Sequence, residues 1–166
     1  MASELERSIR DVVERVAAAL LEREWRLATA ESCTGGWIAK ACTDLAGSSR
    51  WFDRGYVSYS YPAKEEQLGV IRADLEVHGA VSEPIAAQMA LGARQRSGVE
   101  LTLSATGIAG PEGGLPNKPV GMVCFGWSMR GAVLETDTRT FSGDREAVRH
   151  QTVLHALEGC LRIIEE

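Results

Sequence analysis

Trp25-Arg26-Leu27-Ala28-Thr29-Ala30 runs into Glu31-Ser32-Cys33-Thr34-Gly35-Gly36, and there the chain changes its period. The first six residues read as a short strand. Beyond Gly36, the residues Trp37, Ile38, Ala41, Cys42 and Leu45 recur at helical spacing. The middle six therefore occupy a strand-to-helix turn. Such a turn leaves backbone N–H groups unpaired at the helix start, and with the helix dipole they attract negative charge. Gly35 and Gly36 let a ligand approach the backbone, Ser32 and Thr34 add hydroxyls, and Cys33 adds a thiol. A Ser or Thr before a helix is most often its N-cap. Taken alone, the stretch leaves a cap, a nucleophile and an anion cradle open, with the cap favoured.

Upstream, Leu5, Ile9, Val12, Val13, Val16, Leu20 and Leu21 predict a helix from about residue 3 to residue 23. Downstream, the helix after the turn should stop at Gly47. Trp51 and Phe52 follow a polar turn and look exposed. Gly55 to Tyr61 alternates, with Val57, Tyr59 and Tyr61 on one face, which predicts a strand. Pro62 opens a short helix that carries Lys64 and ends at Gly69. Asp74 to His78 reads as another turn or two of helix, and Ser82 caps a longer one through about Arg96. Leu101 to Thr106 is an apolar strand. A Gly- and Pro-rich loop from Gly107 to Pro119 is long enough to suggest function or disorder. Val120 to Met129 and Val133 to Phe141 form a hairpin turned at Arg130-Gly131, and a last helix covers about Asp144 to Ile164.

This order predicts an α/β fold, with helices on both faces of one mixed sheet and residues 1–166 in a single domain. The first three strands should run parallel, so their C-terminal ends share one edge. Ser32, the Tyr59 to Lys64 segment, and Thr106 to Gly110 then converge where open α/β sheets bind ligands.

The composition narrows the function classes. At 166 residues, 45% hydrophobic and 25% charged, the chain is that of an ordinary globular protein. A net charge of −5 argues against a broad nucleic-acid surface. Cys33, Cys42, Cys124 and Cys160 form no CxxC pair, so neither zinc nor a disulfide framework is expected, and free thiols suggest the cytoplasm. No apolar run is long enough to span a membrane, and the acidic N-terminus does not read as a secretory signal.

A serine or cysteine nucleophile needs a base. His78, His150 and His155 all fall away from the predicted strand ends, which leaves lysine. A buried Lys64 could accept a proton, although its spacing alone favours an exposed helix position. Tyr59 could relay a proton or orient Lys64, or pack against the sheet. Thr106 could donate to a substrate oxygen, and Gly107 with its loop could present N–H groups. Arg145 at a helix start opposes the dipole and invites a ligand. Lys118 and Arg149 read as solvated surface.

The residues also carry a family resemblance. Ala30-Glu31-Ser32-Cys33-Thr34-Gly35-Gly36, Gly47-Ser48-Ser49 with Trp51-Phe52, Gly55 to Lys64, and Leu68-Gly69-Val70 stand in the order of one family. So do Gly79-Ala80-Val81-Ser82, Thr106 to Pro111, Lys118-Pro119-Val120-Gly121 and Phe141 to Arg145. The chain resembles the C-terminal domain family of the competence/damage-inducible protein CinA, whose stand-alone members include nicotinamide mononucleotide deamidases. The resemblance implies a three-layer α/β/α sandwich with a five-stranded mixed sheet, similar to anticodon-binding domains. It implies hydrolysis of the nicotinamide mononucleotide carboxamide, with no metal or organic cofactor, and a homodimer. By that resemblance Ser32 is the nucleophile and Lys64 the general base. Tyr59, Thr106 and Arg145 assist or bind substrate, with Ser48 beside them. Thr34, Gly35 and Gly36, or the Gly107 loop, supply oxyanion donors. Tyr61-Pro62 before Ala63-Lys64, and Leu115-Pro116-Asn117 in the loop, depart from the family pattern. The alternative is a non-catalytic nucleotide-binding or interaction module of the same fold.

Overall fold

The computed structural model describes residues 1–130 and 134–166. One sheet holds five strands in the order β2-β1-β3-β4-β5. They are β1 (Leu27–Glu31), β2 (Phe52–Val57), β3 (Leu101–Gly107), β4 (Met122–Met129) and β5 (Leu134–Thr140). β1 runs parallel to β2 and β3, and β4 runs antiparallel to β3 and β5. Helices α1 (Glu4–Arg23), α2 (Trp37–Thr43) and α6 (Arg145–Glu165) cover one face. Helices α3 (Tyr61–Leu68), α4 (Arg72–His78) and α5 (Glu83–Ser97) cover the other. This is the three-layer sandwich with a mixed sheet that the sequence predicts.

The helix bounds follow local chemistry. Ser3 and Glu6 form a capping box at the start of α1, and Glu24 closes it in a left-handed conformation. The buried stripe Ile9, Val12, Val13, Val16 and Leu20 packs with α6 and the sheet. The two faces of β3 do different work. Leu101, Leu103 and Ala105 enter the larger core. The hydroxyls of Thr102, Ser104 and Thr106 point the other way and donate to the carbonyls of Ala90, Ala86 and Ala80, at 2.7, 2.6 and 2.9 Å. Small residues let α5 lie close on the sheet: a Cβ at Gly126 would sit 2.5 Å from the Ala86 carbonyl oxygen.

Four expectations shift. The second strand is Phe52–Val57, not Gly55 to Tyr61. Ser58 still donates to the Glu31 carbonyl at 2.9 Å, but the next carbonyls turn to a lysine instead of a strand partner. Tyr61 therefore begins α3 rather than sharing a strand face with Val57 and Tyr59. The helix after the turn ends at Thr43, and Gly47 precedes a 3-10 turn over Ser48–Arg50. Trp51 is buried at 1% exposure, its carbonyl accepting from the Leu27 N–H at 2.8 Å. Ser82 precedes α5 but donates to the Gly79 carbonyl instead of capping the helix. Of the expected hairpin, Gly131 and Val133 lie outside the described residues.

β1 lies between β2 and β3, so the chain leaves to one side of it and returns on the other. The crevice at the C-terminal end of β1 is thus the switch point where α/β sheets bind ligands. Ser32 follows β1, Ser58 follows β2, and Ile108 follows β3, all at that edge. Among the described residues no helix is long and apolar enough to cross a membrane.

Candidate active site

The turn after β1 is built around a buried carboxylate. Glu31 is fully buried, and its oxygens accept from four donors. These are Thr34 Oγ1 at 2.7 Å, the Ile38 N–H at 2.8 Å, the Ala39 N–H at 2.9 Å and Thr29 Oγ1 at 3.1 Å. Gly36 occupies the N-cap position of α2 and brings no side chain, so Glu31 caps that helix from seven residues upstream of Ile38. Gly35 and Gly36 hold φ of +58° and +98°, a left-handed region that favours glycine. This geometry corrects two expectations. Ser32 is not the cap, and the α2 start is not an open anion cradle, because its donors already serve a carboxylate. Among the described residues, the N–H groups of Cys33, Thr34 and Gly36 have no protein acceptor.

Opposite Ser32 stands Lys64. Ser60 caps α3 by accepting from the Ala63 N–H at 3.2 Å, and Pro62 sits in the first turn. The first turn of α3 thereby aims Lys64 back toward β1. Its exposure is 1%, which rules out the exposed helix lysine that spacing alone favours. Lys64 Nζ lies 3.0 Å from Ser32 Oγ and 2.9 Å from each of the Ser58 and Tyr59 carbonyl oxygens. As an ammonium it donates to all three. As a neutral amine it keeps two N–H donors for the carbonyls, and its lone pair faces the Ser32 hydroxyl. Burial lowers its pKa from 10.5 to about 8, which brings the neutral form within reach near physiological pH.

The other predicted residues divide. Tyr59 is 61% exposed and meets Lys64 through its carbonyl, not its hydroxyl. That hydroxyl lies 3.5 Å from Arg145 Nη2, so an orienting role survives and a proton relay through the phenol does not. Arg145 also donates to the Gly110 carbonyl at 2.7 Å, which ties the first turn of α6 to the long loop. Thr106 is 1% exposed and its hydroxyl donates to the carbonyl of Ala80, in the segment between α4 and α5, so it is not free to donate to substrate. Gly107 ends β3 opposite Val123, where a Cβ would meet the Val123 side chain at 2.6 Å. Close strand packing explains that glycine. Ser48 sits before β2, whose first residue pairs with Leu27 at the start of β1. It therefore lies at the opposite edge of the sheet from Ser32. Local sequence order could not reveal that separation.

Burial pushes the Cys33 thiol up to about 12, consistent with an inert residue beside the site. His155 meets Asp137 at 2.9 Å and His150 packs on Trp37 with centroids 4.4 Å apart, so neither serves Ser32. Lys118 donates to the His78 carbonyl. Among the described residues no cluster of His, Cys, Asp and Glu could hold a metal.

Two residues that sequence reasoning missed are central to the turn. The first is Glu31, whose one sequence signal was an acidic residue just before a helix. The second is Arg149, read as solvated surface. Arg149 Nε donates to the Cys33 carbonyl at 3.0 Å and Nη2 to the Thr34 carbonyl at 3.1 Å. Its guanidinium lies 5.2 Å over the Trp37 ring. Its four-residue spacing from Arg145 on one helix face was the available clue. Two cavities share Trp37 and Arg149 in their linings. One of about 890 Å³ is lined by Thr34, Gly35, Gly36, Trp37, Lys40 and Arg149, among others. The other, of about 760 Å³, includes Trp37, Ala109, Pro111, Arg145 and Arg149. Both are of a size that takes small molecules.

Comparison with known proteins agrees with this architecture. Residues 9–164 match the family described as CinA C-terminal domain. The nicotinamide-nucleotide amidohydrolase PncC of Enterobacter agglomerans is 49% identical over 157 residues, covering 95% of this chain and 96% of that protein. PncC of Escherichia coli strain K12 is 49% identical over 145 residues, covering 87% of this chain and 88% of that protein. The crystal structure of competence/damage inducible protein CihA from Agrobacterium tumefaciens is similar with a TM-score of 0.92 at 40% identity, covering 96% of each chain. By sequence and by structure, the chain belongs to the CinA C-terminal domain family.

Proposed function

We propose that this protein hydrolyses the carboxamide of nicotinamide mononucleotide to nicotinate mononucleotide and ammonia, through an acyl-enzyme on Ser32. The observation that carries the mechanism is the buried 3.0 Å contact between Lys64 Nζ and Ser32 Oγ. The substrate assignment rests on the relatives named nicotinamide-nucleotide amidohydrolase.

Neutral Lys64 takes the Ser32 proton as Oγ attacks the carboxamide carbon. The Ser58 and Tyr59 carbonyls stabilise the ammonium that forms. Negative charge developing on the amide oxygen falls to unpaired N–H groups of Cys33, Thr34 and Gly36. Protonated Lys64 then gives its proton to the leaving nitrogen, and ammonia departs. A water molecule, deprotonated by neutral Lys64, attacks the ester and restores Ser32 with release of the acid. Arg145, on the rim of the 760 Å³ cavity, holds the phosphate. No metal or organic cofactor takes part. A cytoplasmic location, suggested by four buried free cysteines, and a homodimer, implied by the resemblance, belong to the same reading.

The test is ammonia release from the mononucleotide, the dinucleotide, nicotinamide and nicotinamide riboside. The mononucleotide should be hydrolysed with the highest kcat/KM, the riboside at least about 10-fold lower, and Arg145→Ala should erase that difference. A folded protein that binds the mononucleotide but releases no ammonia would instead be a non-catalytic binding module. The pH profile is a second expectation. Only the neutral amine accepts a proton, so kcat/KM should rise with pH to a plateau, with a midpoint at about 8. A flat profile from pH 6 to 9 would remove Lys64 as the base.

A further inference from the structure

Arg149 is four residues beyond Arg145 on α6, and it reaches the turn from the helix layer opposite α3. Its two hydrogen bonds go to consecutive backbone carbonyls, Cys33 and Thr34, and among the described residues it has no carboxylate partner. In a trans peptide the C=O and the following N–H point in opposite directions. Holding the Cys33 carbonyl toward α6 therefore turns the Thr34 N–H away from α6. The Thr34 N–H has no protein acceptor among the described residues.

The opposite flank of the turn is held by Glu31, which accepts from Thr34 Oγ1, Ile38 N–H and Ala39 N–H. An anion thus binds donors of the segment while a cation binds its carbonyls. The planar guanidinium meets the two carbonyls from separate nitrogens, Nε and Nη2, in a fixed fork that the single nitrogen of a lysine does not reproduce. Stacking on Trp37, the first residue of α2, limits the guanidinium further.

We propose that Arg149 is a positioning residue for the proposed reaction. By clamping the Cys33 and Thr34 carbonyls, it aims the Thr34 N–H at the oxyanion formed on the amide carbon. The inference rests on the Ser32 acyl-enzyme reading above. Arg149 acts on the transition state through the backbone, and it does not bind the phosphate.

The experiment compares Arg149→Met with the wild type on the mononucleotide and on nicotinamide riboside. Kcat should fall at least about 10-fold, toward the loss seen when one oxyanion donor is removed. KM should stay within about 3-fold, the fold-loss should be the same for both substrates, and the pH midpoint should not move. Guanidinium ion added to Arg149→Ala should restore part of kcat, and Arg149→Lys should not restore it. Unchanged kcat in a folded Arg149→Met protein overturns the inference. So does a KM increase confined to the mononucleotide, which would make Arg149 a phosphate ligand. If Arg149→Met does not fold, Arg149→Lys carries the test, and wild-type kcat in it overturns the proposal. Lack of ammonia release by the wild type would overturn the underlying reading, an outcome distinct from these.

Discussion

Ser32→Ala should lower kcat for ammonia release by about 10⁴-fold or more, Lys64→Met should lower it comparably, and the double variant should be no worse than either. Groups that act as one unit lose nearly everything when the first is removed. The geometry makes such a unit, because among the described residues Ser32 is the only side chain hydrogen-bonded to Lys64 Nζ, at 3.0 Å. Methionine retains the length and bulk of a side chain that is 1% exposed, so the loss would report chemistry and not a cavity. Multiplicative losses in the double variant, or more than about 1% residual kcat in Ser32→Ala, would separate the two residues.

Lys64 also leaves a thermodynamic mark that needs no substrate. Its folded pKa is lowered from 10.5 to about 8. Below pH 8 both folded and unfolded chains carry the proton, and the fold bears the cost of burying it. Between pH 8 and 10.5 the unfolded chain holds the proton and the folded chain does not, so this contribution to stability rises with pH. Across that window the gain is about 3 kcal/mol. The buried thiols of Cys33, Cys42, Cys124 and Cys160 work the other way, because burial raises their pKa values. The useful quantity is therefore the urea stability of wild type minus that of Lys64→Met, which should grow with pH. A constant difference would mean that Lys64 titrates normally.

Glu31→Ala should destabilise the fold by about 3–5 kcal/mol, the scale for removing a buried charged partner and stranding its donors. Two backbone N–H groups, of Ile38 and Ala39, lose their acceptor, as do the hydroxyls of Thr29 and Thr34. A cavity is added to that loss. Glu31→Gln should be less damaging than alanine but still costly, because its NH₂ group would face donors where the carboxylate now accepts. Melting should fall by roughly 6–20 °C for alanine at about 2–4 °C per kcal/mol. A Glu31→Ala protein within 1 kcal/mol of wild type would show that water, and not this carboxylate, is able to satisfy the turn. The surviving folded fraction should also lose kcat, since Thr34 is one of the groups released.

Much of the frame was legible in linear order. The stripe from Ile9 to Leu20 specified α1, and Pro62 and Gly69 marked the bounds of α3, because turn residues and periodicities act over a few residues. The convergence of Ser32 with Lys64 was also readable, through the rule that parallel strands end at one edge. Reading failed where a residue's partner lay far along the chain. Tyr59 alternated like a strand residue, yet its carbonyl serves Lys64. Thr106 looked free at a strand end, yet Ala80 takes its hydroxyl. Ser48 matched a family segment, yet its strand starts at the wrong edge of the sheet.

The sequence by itself thus determined the layers, the strand-to-helix turn at Glu31 to Gly36, and the residue types that could act there. Tertiary structure alone decided what each polar group does. It spent Glu31 on the Ile38 and Ala39 N–H groups at the start of α2, which confined the turn's unpaired donors to Cys33, Thr34 and Gly36 among the described residues and left Ser32 to Lys64. It also brought Arg149 across 116 positions to the Cys33 carbonyl. The physical reason is that burial obliges each polar group to find a partner, and which partner lies within 3 Å is set by packing between layers rather than by neighbours in the chain.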